Sequence, residues 1–101
     1  MSPIPCQPNV LVFIPHDLGD HLGCYGHGSA RSPHLDGLAR GGVRFTNCFT
    51  TTPECTSSRS SLWTGQYPHQ NGLMGLAGFG WSLGPGVPHL AQRLASGGYQ
   101  T

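Results

Sequence analysis

The stretch Asn9-Val10-Leu11-Val12-Phe13-Ile14, followed by Pro15, decides the fold class of this chain. It is an unbroken apolar run rich in β-branched residues, a pattern typical of a strand buried on both faces of a parallel sheet. Because Pro15 has no N–H to offer a neighbouring strand, the strand is predicted to end there. The loop from His16 to Ser32 then follows the carboxyl end of a strand, the edge at which open α/β sheets bind ligands.

Helical and strand patterns alternate along the rest of the chain. In chain order they are a helix opened by Ser32-Pro33 and closed by Gly41-Gly42, a strand over residues 43–49, a helix over residues 57–63 that ends at Gly65, a loop over residues 66–88 and a helix over residues 87–95. This order predicts an α/β fold with a mostly parallel sheet flanked by helices. So few parallel strands would leave long unpaired edges. We therefore expect a truncated chain, in which residues 1–8 are a flexible leader and residues 9–101 are part of an incomplete domain.

The charged residues are few and nearly balanced. Five arginines, no lysine and four acidic residues give a formal net charge of +1, and no basic stripe supports nucleic-acid binding. The longest apolar run is too short to cross a bilayer. The N-terminus lacks the basic and apolar segments of a signal peptide. We therefore expect no nucleic-acid partner, no membrane partner and a cytoplasmic location for the chain as written.

Four cysteines are present, and no two of them form a C-x-x-C pair. Without a secretory context, an even number of cysteines does not establish a disulfide framework. Free buried thiols are the favoured interpretation for Cys24 and Cys48. Zinc binding by scattered histidines and cysteines is the alternative, although the spacing fits neither a zinc finger nor a zinc knuckle.

The segment Cys55-Thr56-Ser57-Ser58-Arg59 carries the most specific chemical signal. Cys55 lies just before a predicted helix, whose unpaired N–H groups would stabilise an anion beside it. Arg59, four residues on, lies about one helical turn away and can face the same point. A nucleophile, a helix N-terminus and a fixed cation together suit a tetrahedral anionic substrate such as sulfate or phosphate. The alternative is a buried cysteine near a helix cap with an arginine on the surface.

The same segment resembles the signature C-x-P-S-R-x-x-x-x-T-G of the sulfatases of the alkaline phosphatase superfamily. The matching positions are Cys55, Ser58, Arg59, Thr64 and Gly65. The resemblance implies that Cys55 is the precursor of the nucleophile, oxidised to formylglycine by a formylglycine-generating or sulfatase-maturing enzyme. The hydrated aldehyde would attack sulfur, and its second hydroxyl would then expel sulfate by re-forming the aldehyde. Arg59 would hold the modified side chain and its metal. Ser57 departs from the Pro or Ala usual in the family, at a position that the converting enzymes read.

The loop after the first predicted strand is similar to the family's metal-binding loop. His16-Asp17-Leu18-Gly19 stands where the family usually has Asp-Asp-x-Gly. The resemblance implies a divalent metal, usually calcium, held by Asp17 together with the group derived from Cys55. His16 replaces the first carboxylate, and an imidazole is a poorer calcium ligand than a carboxylate. Four interpretations of His16 therefore remain: it binds calcium weakly, it favours another metal, it contacts substrate, or it has a structural role.

Further stretches follow the family order. Residues 33–39 and 42–47 are similar to T-P-N-L-D-x-L-A and G-x-x-F-x-N, and their Asp36 and Arg44 are interpreted as scaffold. The run His69-Gln70-Asn71-Gly72 resembles the heparan N-sulfatase (sulfamidase) branch. It points to His69 as a substrate-binding residue, with a loop histidine bonded to backbone as the alternative. Loop aromatics that could stack on a sugar, unless they pack the loops instead, are Tyr25, Phe79 and Trp81.

Taken together, the resemblance covers residues 9–101 and implies the N-terminal portion of an alkaline-phosphatase-like fold. The expected activity is hydrolysis of a sulfate ester or sulfamate in a sulfated small molecule or glycan. Two alternatives remain at this point. One is a phosphonate or phosphate diester hydrolase of the same superfamily, and the other is a non-functional truncated gene product. We expect the 101 residues alone to be inactive.

Overall fold

The computed structural model describes residues 7–101. Most of the predicted leader, residues 1–6, lies outside the described residues. The chain divides into two units, Met1–Thr46 and Asn47–Thr101. Each unit has its own helices and its own hydrogen-bond network.

The first unit contains a 3₁₀ turn, Gly23–Tyr25, and helix α1, Pro33–Gly41. Ser32 is the N-cap residue of α1, as predicted, but its side chain makes no capping bond. Its Oγ instead accepts from the N–H of the turn's first residue at 2.9 Å and donates to Asp36 Oδ1 at 2.9 Å. The same carboxylate oxygen accepts from the N–H of the turn's second residue at 2.8 Å. Polar contacts therefore fasten α1 to the 3₁₀ turn.

Arg44 extends this polar scaffold. Its Nη1 donates to the Cys24 carbonyl, and its guanidinium lies 5.5 Å from the centre of the Tyr25 ring. The Tyr25 hydroxyl in turn donates to the Phe45 carbonyl at 3.0 Å. These contacts fit the scaffold interpretation of Arg44 and engage the Tyr25 ring within its own unit. Cys24 is a half-buried free thiol, whereas Cys48 is free and exposed, so the expected burial of Cys48 is wrong.

The second unit is built around helix α2, Cys55–Thr64, which contacts both later helices. These are α3, Pro68–Asn71, and α4, Leu90–Ser96, with a 3₁₀ turn over Ala77–Phe79 between them. The predicted end of α2 is confirmed, because Gly65 follows it in the left-handed conformation with φ +69°. Helix α3 and the 3₁₀ turn both lie within the segment that the sequence predicts to be a loop.

Helix α4 begins later than predicted. His89 is its N-cap, with Nδ1 accepting from Gln92 N–H at 3.4 Å while Gln92 Oε1 accepts from His89 N–H at 3.2 Å. This reciprocal capping box fixes the first helical residue at Leu90 and leaves residues 87–89 outside the helix.

The predicted strands over residues 9–14 and 43–49 are not confirmed. Within residues 7–101 no segment is a strand. A strand exists only as part of a ladder with a neighbour, and an apolar run by itself supplies no partner. The first run is correspondingly open to solvent, with Leu11 90% and Phe13 73% exposed.

The packed interior of the described chain is more polar than apolar. Leu73 is the one large apolar residue classed as buried among residues 7–101. The buried polar residues all belong to the second unit and are Ser57, Ser60, Ser61 and Asn71. Hydrogen bonds therefore carry much of the internal order of this unit.

Candidate active site

Cys55 is the first residue of α2 and its thiol is exposed and free. The sequence placed it just before the helix, and the structure extends the helix to include it. Glu54 is the N-cap residue, and in the part of the chain that the structure describes it provides no side-chain capping bond. The first N–H groups of a helix have no partner inside the helix, so the positive end of the α2 dipole lies at Cys55. Because the Cys55 thiol is exposed, the alternative of a buried cysteine is wrong.

Arg59 lies one turn further along α2 and is half-buried. Every ion pair found in residues 7–101 joins a histidine to an aspartate, so the Arg59 guanidinium has no carboxylate partner there. It lines a cavity of about 490 Å³ together with Thr56, Trp63 and His89. An arginine without an ion-pair partner, beside a cavity and one turn from an exposed thiol, is available to an incoming anion.

The loop before α2 is held against the helix by hydroxyl groups. Thr50 Oγ1 and Ser58 Oγ lie 2.5 Å apart, and Thr51 Oγ1 donates to Ser61 Oγ at 2.9 Å. Thr50 Oγ1 also bonds the Thr52 carbonyl at 2.9 Å. The chain therefore enters the helix along a defined path, and the position of Cys55 follows from it.

Helix α2 has a buried polar face that the sequence patterns above do not predict. Ser57 is fully buried and Ser60 is 5% exposed. The Ser60 and Ser61 hydroxyls both donate to the Ser57 carbonyl, at 2.7 and 3.2 Å. Thr64 Oγ1 donates to the Ser60 carbonyl at 2.7 Å. The spacing of these four residues, 57, 60, 61 and 64, is that of one helix face, and this spacing was the available signal.

His16 and Asp17 lie in the first unit and bond each other, with His16 Nδ1 2.9 Å from Asp17 Oδ2. Both side chains are exposed, and Asp17 is the one non-glycine residue with positive φ, +54°, among residues 7–101. The described residues contain no group of three or more histidine, cysteine, aspartate or glutamate side chains that could hold a metal ion. His16 and Asp17 can thus contribute two ligands to a metal but cannot complete its coordination shell.

The remaining predicted contacts lie outside α2, with His69 in α3, Phe79 at the end of the 3₁₀ turn and Trp81 in the loop that follows. The His69 ring stacks on the Tyr67 ring with centroids 5.7 Å apart, and both residues are exposed. A Cβ on Gly75 would lie 2.5 Å from Trp81, so the Trp81 ring packs closely on that glycine. Phe79 is 81% exposed. Trp81 therefore packs against its own loop, whereas the side chains of His69 and Phe79 are accessible to a ligand.

The order of the segments, the exposed Cys55 and the Arg59 one turn away agree with a family-level match. The family model for sulfatases matches residues 8–101, nearly the whole chain. The chain belongs to the sulfatase family. The resemblance of the Cys55 segment to the sulfatases is thereby confirmed, and an α/β fold of the alkaline phosphatase type follows from family membership.

Several curated sulfatases are similar to this chain. Mouse steryl-sulfatase is 47% identical over 71% of the chain, and human arylsulfatase A is 46% identical over 65%. Human N-sulphoglucosamine sulphohydrolase is 44% identical over 67%. The chain spans 12%, 13% and 14% of the lengths of these three relatives. No solved structure matches the chain with statistical significance.

The sulfatase signature lies on one element of the structure. All of its matching residues except Gly65 fall in α2, and Gly65 is the C-cap of that helix. None of the helices within residues 7–101 is both long enough and apolar enough to cross a membrane.

Proposed function

We propose that this chain carries the nucleophile of a sulfatase that hydrolyses a sulfate ester or a sulfamate. The observation that supports it best is the exposed Cys55 at the N-terminus of α2, with Arg59 one turn away. Oriented N–H groups and a guanidinium stabilise negative charge that develops on sulfate oxygens as the ester bond breaks. Arginine offers a planar fork of N–H donors that fits two oxygens of a tetrahedral anion.

The formylglycine made from Cys55 would supply the nucleophile, as a hydrated aldehyde. An enzyme that oxidises the side chain must reach the thiol, and the exposure of Cys55 meets this requirement. Arg59 would hold the modified group in place. The partner implied by this chemistry is a formylglycine-generating or sulfatase-maturing enzyme.

The proposed metal is a divalent cation, with calcium as the first candidate. When bound, such a cation polarises an oxygen of the substrate. Asp17 fits as an oxygen ligand because its carboxylate is exposed and contacts no side chain other than that of His16 in the ion pairs found within residues 7–101. Calcium takes six to eight oxygen ligands, so most of its ligands would come from outside the described residues. The joint metal role of Asp17 and Cys55 stays a prediction.

We further propose a sulfated sugar as the substrate class. One of the similar proteins is an N-sulphoglucosamine sulphohydrolase, and the run His69-Gln70-Asn71-Gly72 resembles that branch. The exposed, stacked rings of Tyr67 and His69 provide a surface on which a sugar ring can lie.

The test begins with co-expression of the full-length protein that contains this chain with a sulfatase-maturing enzyme, because the 101 residues alone are expected to be inactive. Trypsin cleaves after Arg44 and Arg59 and releases a peptide that contains both Cys48 and Cys55. Mass spectrometry of this peptide is expected to show loss of sulfur at Cys55 alone. The modified protein is expected to hydrolyse 4-nitrophenyl sulfate, Cys55→Ala to abolish hydrolysis and the matched control Cys48→Ala to leave it unchanged.

Two results would contradict the proposal. An unmodified Cys55 together with no sulfate release would remove the basis for a formylglycine mechanism. A modified Cys55 with hydrolysis of bis(4-nitrophenyl) phosphate but not of 4-nitrophenyl sulfate would instead identify a phosphate diester hydrolase.

A further inference from the structure

Helix α2 presents two opposite faces. Successive residues of an α-helix are rotated by about 100°, which places Cys55 and Arg59 on one face and Ser57, Ser60, Ser61 and Thr64 on the other. The first face carries the exposed thiol, and the second is buried or half-buried. We call the second face, with Ser57, Ser60, Ser61 and Thr64, the hydroxyl face. The contacts that hold the hydroxyl face therefore set the direction in which Cys55 and Arg59 point.

Asn71, the last residue of α3, holds that face. Its side chain is fully buried. Its Nδ2 donates to Ser60 Oγ at 3.0 Å, to Thr64 Oγ1 at 3.2 Å and to the Gln66 carbonyl at 3.3 Å. Its Oδ1 accepts from Leu73 N–H at 2.9 Å. The amide orientation is fixed because a carbonyl can only accept and an N–H can only donate.

The bonds continue from Asn71 to the residue before the nucleophile. Ser60 Oγ, which accepts from Asn71, donates to the Ser57 carbonyl at 2.7 Å. Ser57 Oγ donates to the Glu54 carbonyl at 3.3 Å. Glu54 is the N-cap of α2 and is bonded covalently to Cys55. Hydrogen bonds that are joined through the covalent structure of Ser57 therefore connect α3 to the N-terminus of α2 along the hydroxyl face.

We propose that Asn71 is a positioning residue, which acts through Ser60 to fix the rotation of α2 and so the direction of Cys55 and Arg59. This inference rests on the proposed sulfatase function. A hydroxyl face has no apolar shape to lock it, and directional hydrogen bonds are the means by which such a helix keeps a single rotation. Asparagine suits the position because it offers two N–H donors and one acceptor on a short side chain.

The test compares amide-to-carboxylate changes at neighbouring positions. Asn71→Asp keeps the acceptor for Leu73 N–H and removes the donors to α2. Gln70→Glu makes the same chemical change one residue away, where the exposed Gln70 Oε1 accepts only from Tyr67 N–H at 2.9 Å. We expect Asn71→Asp to lower kcat for 4-nitrophenyl sulfate, per formylglycine group, by about tenfold or more with KM within about twofold, since small misplacements cost rate rather than binding. Gln70→Glu is expected to leave both constants unchanged.

A second pair of variants remains informative if Asn71→Asp does not fold. Ser60→Ala removes the link in the series but leaves Asn71 Nδ2 two other acceptors, and alanine favours the helix. Its control is Ser96→Ala in α4, where Ser96 Oγ makes a comparable bond to the Gln92 carbonyl at 2.9 Å. We expect Ser60→Ala to lower kcat as Asn71→Asp does, and the double variant to lose no more than the worse single variant, because both break the same connection.

A purely structural role predicts a different pattern. The yield of folded protein would fall in Asn71→Asp and Ser60→Ala while kcat per formylglycine stayed at the wild-type value, and this result would overturn the proposal. If the full-length wild-type protein proves to be unmodified or inactive, the proposed function fails and hydrogen exchange decides the role of Asn71. Asn71→Asp is then expected to speed amide exchange in α2 and not in α4. Equal effects on both helices would reject the inference.

Discussion

Gly72 and Gly80 allow a sharp test of how closely the loop over residues 82–84 packs on α3. Both glycines have φ +86°, a left-handed conformation that costs a residue with a Cβ roughly 1–2 kcal/mol. A Cβ on Gly80 would meet nothing within 4 Å, whereas one on Gly72 would lie 3.2 Å from Gly84 N. The two substitutions to alanine therefore share the backbone strain and differ in this contact.

The difference in cost can be worked out from one hydrogen bond. Gly84 N–H donates to the Asn71 carbonyl at 2.8 Å, and a Cβ on Gly72 would push this N–H away. Loss of a typical hydrogen bond costs about 1 kcal/mol. We expect Gly72→Ala to lower the free energy of unfolding by about 2–3 kcal/mol and Gly80→Ala by about 1–2 kcal/mol.

Two assays read this out. Urea denaturation, followed by fluorescence of Trp63 and Trp81, gives the free energy of unfolding of each variant. Hydrogen exchange at the Gly84 amide gives the local effect. A difference of about 1 kcal/mol corresponds to about fivefold faster exchange at Gly84 in Gly72→Ala than in Gly80→Ala. Equal losses in the two variants, with equal exchange at Gly84, would refute the role assigned to the contact.

Three further predictions concern the candidate site. Ser57→Ala introduces a residue usual in the family and adds no volume at this fully buried position, although it removes the contacts of Ser57 Oγ to Glu54, at 3.3 and 3.4 Å. We expect mass spectrometry to show a larger formylglycine fraction at Cys55, and no gain would contradict the importance of this position for maturation. His16→Asp places two carboxylates side by side and should tighten calcium binding in isothermal titration calorimetry. His34→Asp, at another exposed histidine, should not tighten calcium binding. An equal gain in calcium affinity in both variants would indicate a general charge effect. His69→Ala should raise KM for an N-sulfated glucosamine substrate but not for 4-nitrophenyl sulfate, and equal changes for both would remove His69 from the sugar contact.

Local signals in the sequence predicted the ends of the helices better than their starts. Gly65 marks the end of α2 because only a residue without a Cβ adopts its left-handed conformation easily. The start of α2 was predicted two residues late. Glutamate is not among the preferred N-cap residues, so the sequence offered no N-cap signal at Glu54, and its side chain makes no capping bond. Helix α3 was missed within a Gly-rich segment, although Pro68 at its first position and Gly72 after its end were signals of a short helix.

Local signals in the sequence did not predict strand pairing correctly. The run over residues 9–14 has the composition of a central strand, but pairing depends on a neighbour that the pattern does not identify. In the part of the chain that the structure describes, this run has no ladder partner. Membership of the sulfatase family implies an α/β fold, whereas the sheet itself is not confirmed by the geometry of residues 7–101.

The candidate site was predictable where its chemistry depends on one element. Cys55 and Arg59 are four residues apart, and helix geometry alone places them on one face. The role of Asn71 was not predictable in this way. Its partners in α2 come from a separate helix, and a search for apolar periodicity passes over a face made of serines. Helical spacing of hydroxyl residues would have revealed that face.

The hydroxyl face of α2 also affects how the second unit responds to temperature. Attraction between apolar surfaces weakens on cooling, because the hydration of exposed apolar groups carries a large positive heat capacity. Polar groups contribute to the heat capacity with the opposite sign. The contact between α2 and α3 buries serines and an asparagine, with Leu73 as the large apolar residue classed as buried among residues 7–101. The attachment of α2 to α3 therefore varies less steeply with temperature than an apolar contact of the same area, and it is retained in the cold.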